Sequence, residues 1–465
     1  MTNRPPVPPA TERPDDGFAT SDDGERDAVP STPATPSTAA AATSPPSGGR
    51  SGGVSSIRTF ESLADAGYRW YLLSMLGQMA SLNMQQLVRG FLVFELTGSY
   101  TALGTLFLFN SIPGLLFSLA GGVVADRVQH KRRVVQIGQL LNGGNALVLA
   151  LLIYFDVLRF EHILIAALAH STVMSLMMPA RQAMLPEVVG LDRLTNAVAL
   201  NAAGMNAMRL LAPSAAGFLI AALGPHWVYF IITGLYLYAS GLLMLVPTEN
   251  AMLQDGDEPQ QPEPERRSGY RELIDGFRYI AHDPVLRPLL AAAVLFAVFS
   301  MPYLFLLPGF VAAVLGEGPG QLGLLMTFTG VGSLTGSVFV ASLPPHRRGR
   351  LFLFSGVMLG VTLVAFSAST WFWATAGILL FVGIADAGRQ SLSMVLVQAY
   401  VQDEFRGRVM SVYMMQRSVA TFATFFVGLA ASIFGAQIAI GGIAVALVIA
   451  SLLLLAATSK LRDLD

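Results

Sequence analysis

The chain contains no cysteine, which excludes a disulfide scaffold, a thiolate metal site and a cysteine nucleophile. Charge is almost as scarce: Asp, Glu, Lys and Arg make up only 13% of the 465 residues, about half the roughly 25% of a soluble domain. The shortage is uneven. Residues 1–68 and 248–287 hold 14 charged residues each, leaving 31 for the other 357 positions. That is too few to solvate a soluble surface of such size. A net charge of −1 gives no reason to expect nucleic acid as a partner. There is no G-x-x-x-x-G-K-[ST] nucleotide loop, and the six histidines form no H-x-x-x-H pair. Neither an ATPase nor another enzyme is expected, and no cofactor or metal is implied.

Long apolar runs fill the space that charge leaves. A helix crossing the hydrocarbon core needs roughly 20 such residues, and about twelve runs qualify, from 70–94, with the fourth at 162–178 and the seventh at 286–307, to 436–458. They are continuous rather than alternating, which argues for helices and against barrel strands. The expected fold class is an all-α membrane protein of twelve transmembrane helices. Residues 1–68, rich in Pro, Ser and Ala, read as a disordered tail, and they lack the apolar core of a signal peptide. Residues 69–247 and 286–459 read as two six-helix bundles, 248–285 as a linker and 460–465 as a short tail. Within the linker, Leu273, Phe277 and Ile280 at i, i+4 and i+7 predict an amphipathic helix over 270–281.

Basic residues fall in alternate loops: Arg127 with Lys131 to Arg133, then Arg181 and Arg193, then 266–287, then Arg347, Arg348 and Arg350, then Arg406 and Arg408. The opposite loops offer only Arg159. This bias predicts that both termini are cytoplasmic. The halves also echo each other: Arg181-Gln182 is matched about 208 residues later by Arg389-Gln390, the repeat pattern of a rocking transporter.

The loop after the second run reads Gly122-Val-Val-Ala-Asp126-Arg127-Val-Gln129-His-Lys131-Arg132-Arg133. It resembles the signature loop of the major facilitator superfamily, G-x-x-x-D-R-x-G-R-K/R, with Gln129 in place of the second glycine. The stretches FLVFELTGSYTALGTL, LPEVVGLDRLTNAVALNAAGMNAMRLLAPSAAGFLIAALG and EFRGRVMSVYMM are similar to its enterobactin-exporter and macrolide-efflux branch. The resemblance runs from Tyr68 to Leu455 and implies two pseudo-symmetric six-helix bundles in the plasma membrane of a prokaryote, working by alternating access. It implies a gate at Gly122, Asp126 and Arg127, with Asp126 latching the start of span 11 near Arg406 and Arg408. It also implies a close-packed span 5, where Met208, Ala212, Pro213, Ala216 and Gly217 match an antiporter motif and Pro213 and Gly217 form the hinge.

Polar residues inside spans are costly and mark cavities or partners. Gln78, Gln85 and Arg89 share a stripe of span 1 beside Asn83 and Gln86; span 5 offers Asn201, Asn206 and Arg209, span 10 Asp386 and Arg389, and span 11 Gln416 and Arg417. Two readings stand for each Gln and Asn: lining a substrate cavity, or bonding a neighbouring helix. His170 reads as a packing residue before a proton carrier. Arg89, Arg209 and Arg417 outnumber Asp386, and guanidiniums in a low-dielectric cavity favour carboxylates or phosphates. The expected activity is secondary active export of a small anionic or zwitterionic amphiphile such as a siderophore, an acidic metabolite or a drug. Import is the alternative, and a membrane receptor stands further off. Protons are the candidate coupling ion and a monomer the expected state.

Overall fold

In hydrocarbon each backbone N–H and C=O must find its partner within the segment, and the helix is the single-segment solution. A computed structural model describes residues 62–127, 130–190, 193–247, 269–343, 346–462 and 464, and within them the side chains of 115, 117–127, 269–274, 403 and 460 lie outside the description. The first half contributes α1 (Ala66–Thr97), α2 (Tyr100–Arg127), α3 (Lys131–Tyr154), α4 (Phe160–Val189), α5 (Leu194–Leu223) and α6 (Pro225–Met244). After α7 (Gly269–His282) come α8 (Leu286–Ser300), α9 (Pro302–Ala313), α10 (Pro319–Ser342), α11 (Arg348–Ala368), α12 (Phe372–Tyr400), α13 (Arg406–Phe434), α14 (Ala436–Ala457) and the short α15 (Ser459–Arg462). Among the described residues ten segments are long and apolar enough to cross a membrane, α8 and α9 counting as one. With the more polar 32-residue α1 and the 28-residue α2 they make twelve.

Sequence chemistry sets the helix ends. Asp65 caps α1 by accepting from the Tyr68 N–H at 3.2 Å, and Asp283 accepts from the Val285 and Leu286 N–H groups at 2.8 Å to start α8. Gly98, at φ 59°, closes α1 in the left-handed conformation, its N–H donating to the Phe94 carbonyl at 2.8 Å. Prolines open α6, α9 and α10, where the missing N–H costs nothing. The outward surface carries Leu140, Phe354, Phe426, Ile433, Ile438 and Leu453, all exposed, as contact with lipid tails requires.

The helix pairs reveal the pseudo-symmetry. α2 packs on α4 as α10 packs on α12, and α3 packs on α6 as α11 packs on α14. The halves meet through two equivalent seams, α2 with α13 and α5 with α10. Both are built on small residues. A Cβ at Gly217 would lie 2.5 Å from the Gly323 Cα, and one at Gly428 2.5 Å from the Tyr100 oxygen, so the backbones touch as small-residue packing in membranes allows. Thr101 Oγ1 donates to Ser432 Oγ at 2.8 Å across the α2–α13 seam. With the near face defined as the one where α1 begins, these contacts run from the far face to the middle of the helices.

Three expectations are corrected. The seventh span is not one run ending at 307: it breaks at Met301, ahead of Pro302, and continues as α9 to Ala313. The fourth does not stop at 178 but continues through Pro179 and Pro186 to Val189. Arg181 therefore lies inside α4, 2% exposed, and not in a basic loop. The tail 1–61, the linker 248–268 and Gln129 lie outside the described residues. The amphipathic helix is α7, with Ile280 buried and Phe277 exposed.

Candidate functional site

The two halves bring charge together at mid-depth. On α12, Asp386 accepts from Arg389 Nε at 3.0 Å and Nη2 at 2.8 Å, and from Gln390 Nε2 at 2.6 Å. Spacings of three and four residues place all three side chains on one helix face. From α5 in the other half Arg209 lies within electrostatic range of Asp386 and of Arg417 on α13, and Tyr303 on α9 lies within range of Asp386, Arg209 and Arg389. Arg209 and Arg417 lie roughly 22 and 17 Å along their helices at 1.5 Å per residue, yet both are solvent-accessible. Accessible guanidiniums at that depth, set among residues of both halves, line an opening between them. Arg389 already holds the Asp386 carboxylate, Arg209 feels its charge, and Arg417 feels that of Arg209.

A second polar region lies within the first half. Gln85, Gln86 and Arg89 of α1, Asn110 of α2 and His170 and Ser171 of α4 line a cavity of about 130 Å³ with Leu82, Leu106, Phe107, Ala167 and Met174. His170 Nδ1 stands 3.0 Å from Asn142 Oδ1, and Tyr229 and Tyr236 of α6 flank Arg89.

A third grouping was not foreseen. Arg181 donates to Gln78 Oε1 and, at 3.2 Å, to Ser74 Oγ, and its guanidinium lies 5.4 Å from the Tyr71 ring centroid. Gln139 Nε2 adds 3.4 Å contacts to Gln78 and Ser74. Gln78 is thus consumed in tying α1 to α3 and α4. Asn83 bonds its own helix at the Met79 carbonyl, 2.7 Å, and Asn201 is buried against the Tyr68 hydroxyl at 3.4 Å. Asn206 is exposed on α5 and Gln416 half-buried with no partner for its Oε1. α5 passes through Pro213 as unbroken helix, with Ala212, Ala216 and Gly217 buried.

At the near face the side chains of Gly122, Asp126 and Arg127 are outside the described residues. Their expected counterpart is visible: α7 covers the start of α13, Tyr279 stacks on Phe405 at 4.3 Å, and Arg408 lies 5.2 Å over the Phe405 ring. Arg406 opens α13 and is exposed. Lys131 pairs with Glu187, joining α3 to α4. Among the described residues no three His, Asp or Glu side chains cluster as metal ligands would.

Comparison with known proteins agrees with this architecture. The chain is 26% identical over 329 residues to the MFS-type transporter YfiS of Bacillus subtilis, covering 68% of this chain and 74% of that one. It is 22% identical over 346 residues to the staphyloferrin A transporter of Staphylococcus aureus, covering 74% and 84%. It is 21% identical over 346 residues to macrolide efflux protein A of Streptococcus pyogenes, covering 72% and 82%. Among solved structures, a peptide transporter POT in complex with alafosfalin superposes with a TM-score of 0.67 at 14% identity, covering 86% of this chain and 95% of that one. The nucleoside transporter NupG does so with 0.62 at 12% identity, covering 84% and 98%. The family model described as transmembrane secretion effector matches residues 58–465. Twelve spans in two equivalent halves, an opening between them and this match make the chain a member of the transmembrane secretion effector family of major facilitator transporters, a multi-pass membrane protein handling small molecules.

Proposed function

We propose that the chain is a secondary active exporter, in the plasma membrane, of a small anionic or zwitterionic amphiphile. The observation that carries the reading is the chain of charges in which Arg389 holds the Asp386 carboxylate, Arg209 from the other half feels Asp386, and Arg417 feels Arg209. Asp386 is satisfied by Arg389, so the remaining cationic field selects anions and repels cations, and a guanidinium fork suits a carboxylate or phosphate. The near face, with Lys131, Arg132, Arg133, Arg193, Arg348 and Arg350, is the cytoplasmic one. The far-face seams then correspond to a cavity open to the cytoplasm, the loading state of an exporter. Transport is driven by an ion gradient, with protons the candidate, or by the substrate's own gradient. The chain acts as a monomer and carries out no chemistry on its cargo.

Export is tested with everted and right-side-out membrane vesicles. The reading expects everted vesicles from expressing cells to accumulate the cargo and right-side-out vesicles not to. Accumulation only in right-side-out vesicles would make the protein an importer.

A further inference from the structure

In the recess between α1, α2 and α4 the bundle leaves two polar side chains unanswered. Gln85 is fully buried, and neither its Oε1 nor its Nε2 has a partner. One turn along the same face, Arg89 is 5% exposed; its Nη2 donates to the Ala166 carbonyl at a long 3.4 Å, its Nε has no partner, and its neighbours include the uncharged Tyr229 and Tyr236 hydroxyls of α6. No carboxylate lines the recess, and among the described residues no acidic side chain pairs with Arg89. A buried guanidinium without a counter-charge is costly, and an amide with both ends unbonded adds to the cost. An anion entering the recess answers the guanidinium charge and the Gln85 Nε2 donor.

The walls narrow the kind of anion. Leu82, Leu106, Phe107 and Met174 are apolar, while the neutral side chains of Gln86, Asn110 and Ser171, with His170, supply the remaining polarity. A doubly charged phosphate would need more than one cation; a single guanidinium with one amide donor matches a single carboxylate. The cavity of about 130 Å³ is close to the roughly 150 Å³ that accepts a benzene ring. We propose that this recess binds a carboxylate carried on a small aromatic or branched apolar group. The Arg89 fork takes the carboxylate oxygens, Gln85 Nε2 donates to one of them, and the hydrocarbon lies against Leu106, Phe107 and Met174. The site belongs to one half alone, whereas the Arg209–Arg417 grouping requires both. It deepens the transport reading, on which it rests to the extent that this carboxylate belongs to the cargo. Phe107 is also the residue whose ring meets Phe305 of α9 at 4.1 Å, so withdrawal of α9 during opening of the far face would uncover the recess on that side.

Binding of radiolabelled benzoate to the purified full-length protein in nanodiscs, read by equilibrium dialysis, tests this without any transport assay. One saturable site is expected, with benzamide unable to compete. Arg89→Gln should weaken binding by about tenfold or more, as loss of a charge-assisted bidentate contact does. Gln85→Leu keeps a buried side chain of similar size and removes the unbonded amide, so it folds while losing several-fold in affinity. Arg193→Gln, exposed at the near face, should bind benzoate as the parent does. Absence of saturable binding, equal competition by benzamide, or parental affinity in Gln85→Leu would overturn the site. Loss in Arg417→Gln alone would move the carboxylate to the opening between the halves, removing the recess and leaving the proposed function standing.

Discussion

Asp386 and Arg389 are joined by two hydrogen bonds, 3.0 Å from Nε and 2.8 Å from Nη2, across one turn of α12. The pair engages the Asp386 carboxylate, so that under the proposed function the charge left for a substrate is that of Arg209 and Arg417.

Breaking that pair should cost stability. A buried ion pair that loses one partner typically costs about 3–5 kcal/mol; the Asp386 side chain is 24% exposed, which brings the expectation down to about 1–3 kcal/mol. Asp386→Asn should therefore lower the thermal midpoint in detergent, and Asp386→Asn with Arg389→Gln should lower it less than the sum of the single changes. Additive losses would mean that the two side chains do not act together.

The Arg181 knot is structural. Arg181→Gln removes the donors to Gln78 Oε1 and Ser74 Oγ and should cost about 1–3 kcal/mol, measured as a lower midpoint, while the range of transported compounds stays the same. A changed substrate range at full stability would place Arg181 in the transport path.

The far-face seam should open in every cycle. Because the chain has no native thiol, Thr101→Cys with Ser432→Cys, whose hydroxyls lie 2.8 Å apart, should crosslink under mild oxidation and stop transport, and reduction should restore it. Undiminished transport by the crosslinked protein would exclude opening along this seam.

The same lack of cysteine permits a topology test. Single cysteines at Ser99, Glu161 or Glu317 should react with an impermeant maleimide in intact cells, and cysteines at Ser268 or Arg193 should not. Gly349 is a poor choice for this purpose, since a Cβ there would lie 1.8 Å from the Leu461 oxygen. External labelling of Ser268→Cys would reverse the proposed orientation.

Most of the scaffold was legible because membrane insertion is decided locally: an apolar run of sufficient length becomes a helix whatever it packs against. The break at Met301 was written in Pro302, yet the uninterrupted apolarity of LFAVFSMPYLFLLPGF concealed it. Arg181 misled for a different reason. An arginine at the end of an apolar run reads as the membrane edge, and only Gln78, Ser74 and Gln139, brought in from other helices, let it lie inside. Arg209 and Arg417 stood out in sequence as mid-span charges. The approach of Arg209 to Arg417 and to Asp386 depends on how the halves pack, which no local pattern specifies. Gln85 and Arg89 shared a visible stripe, but that the bundle leaves both without full partners is a property of packing alone.

The central claim, that the opening between the halves selects anions, is tested most directly by comparing compounds retained by cells that lack the protein, cells that carry it, and cells that carry Arg209→Gln or Arg417→Gln, using mass spectrometry of cell extracts. The account predicts that the retained compounds are anionic or zwitterionic amphiphiles, and that each variant inserts normally but restores their export about tenfold less well, the scale of one lost charge-assisted contact. Retention of cations alone, relieved equally by the parent and both variants, would contradict it.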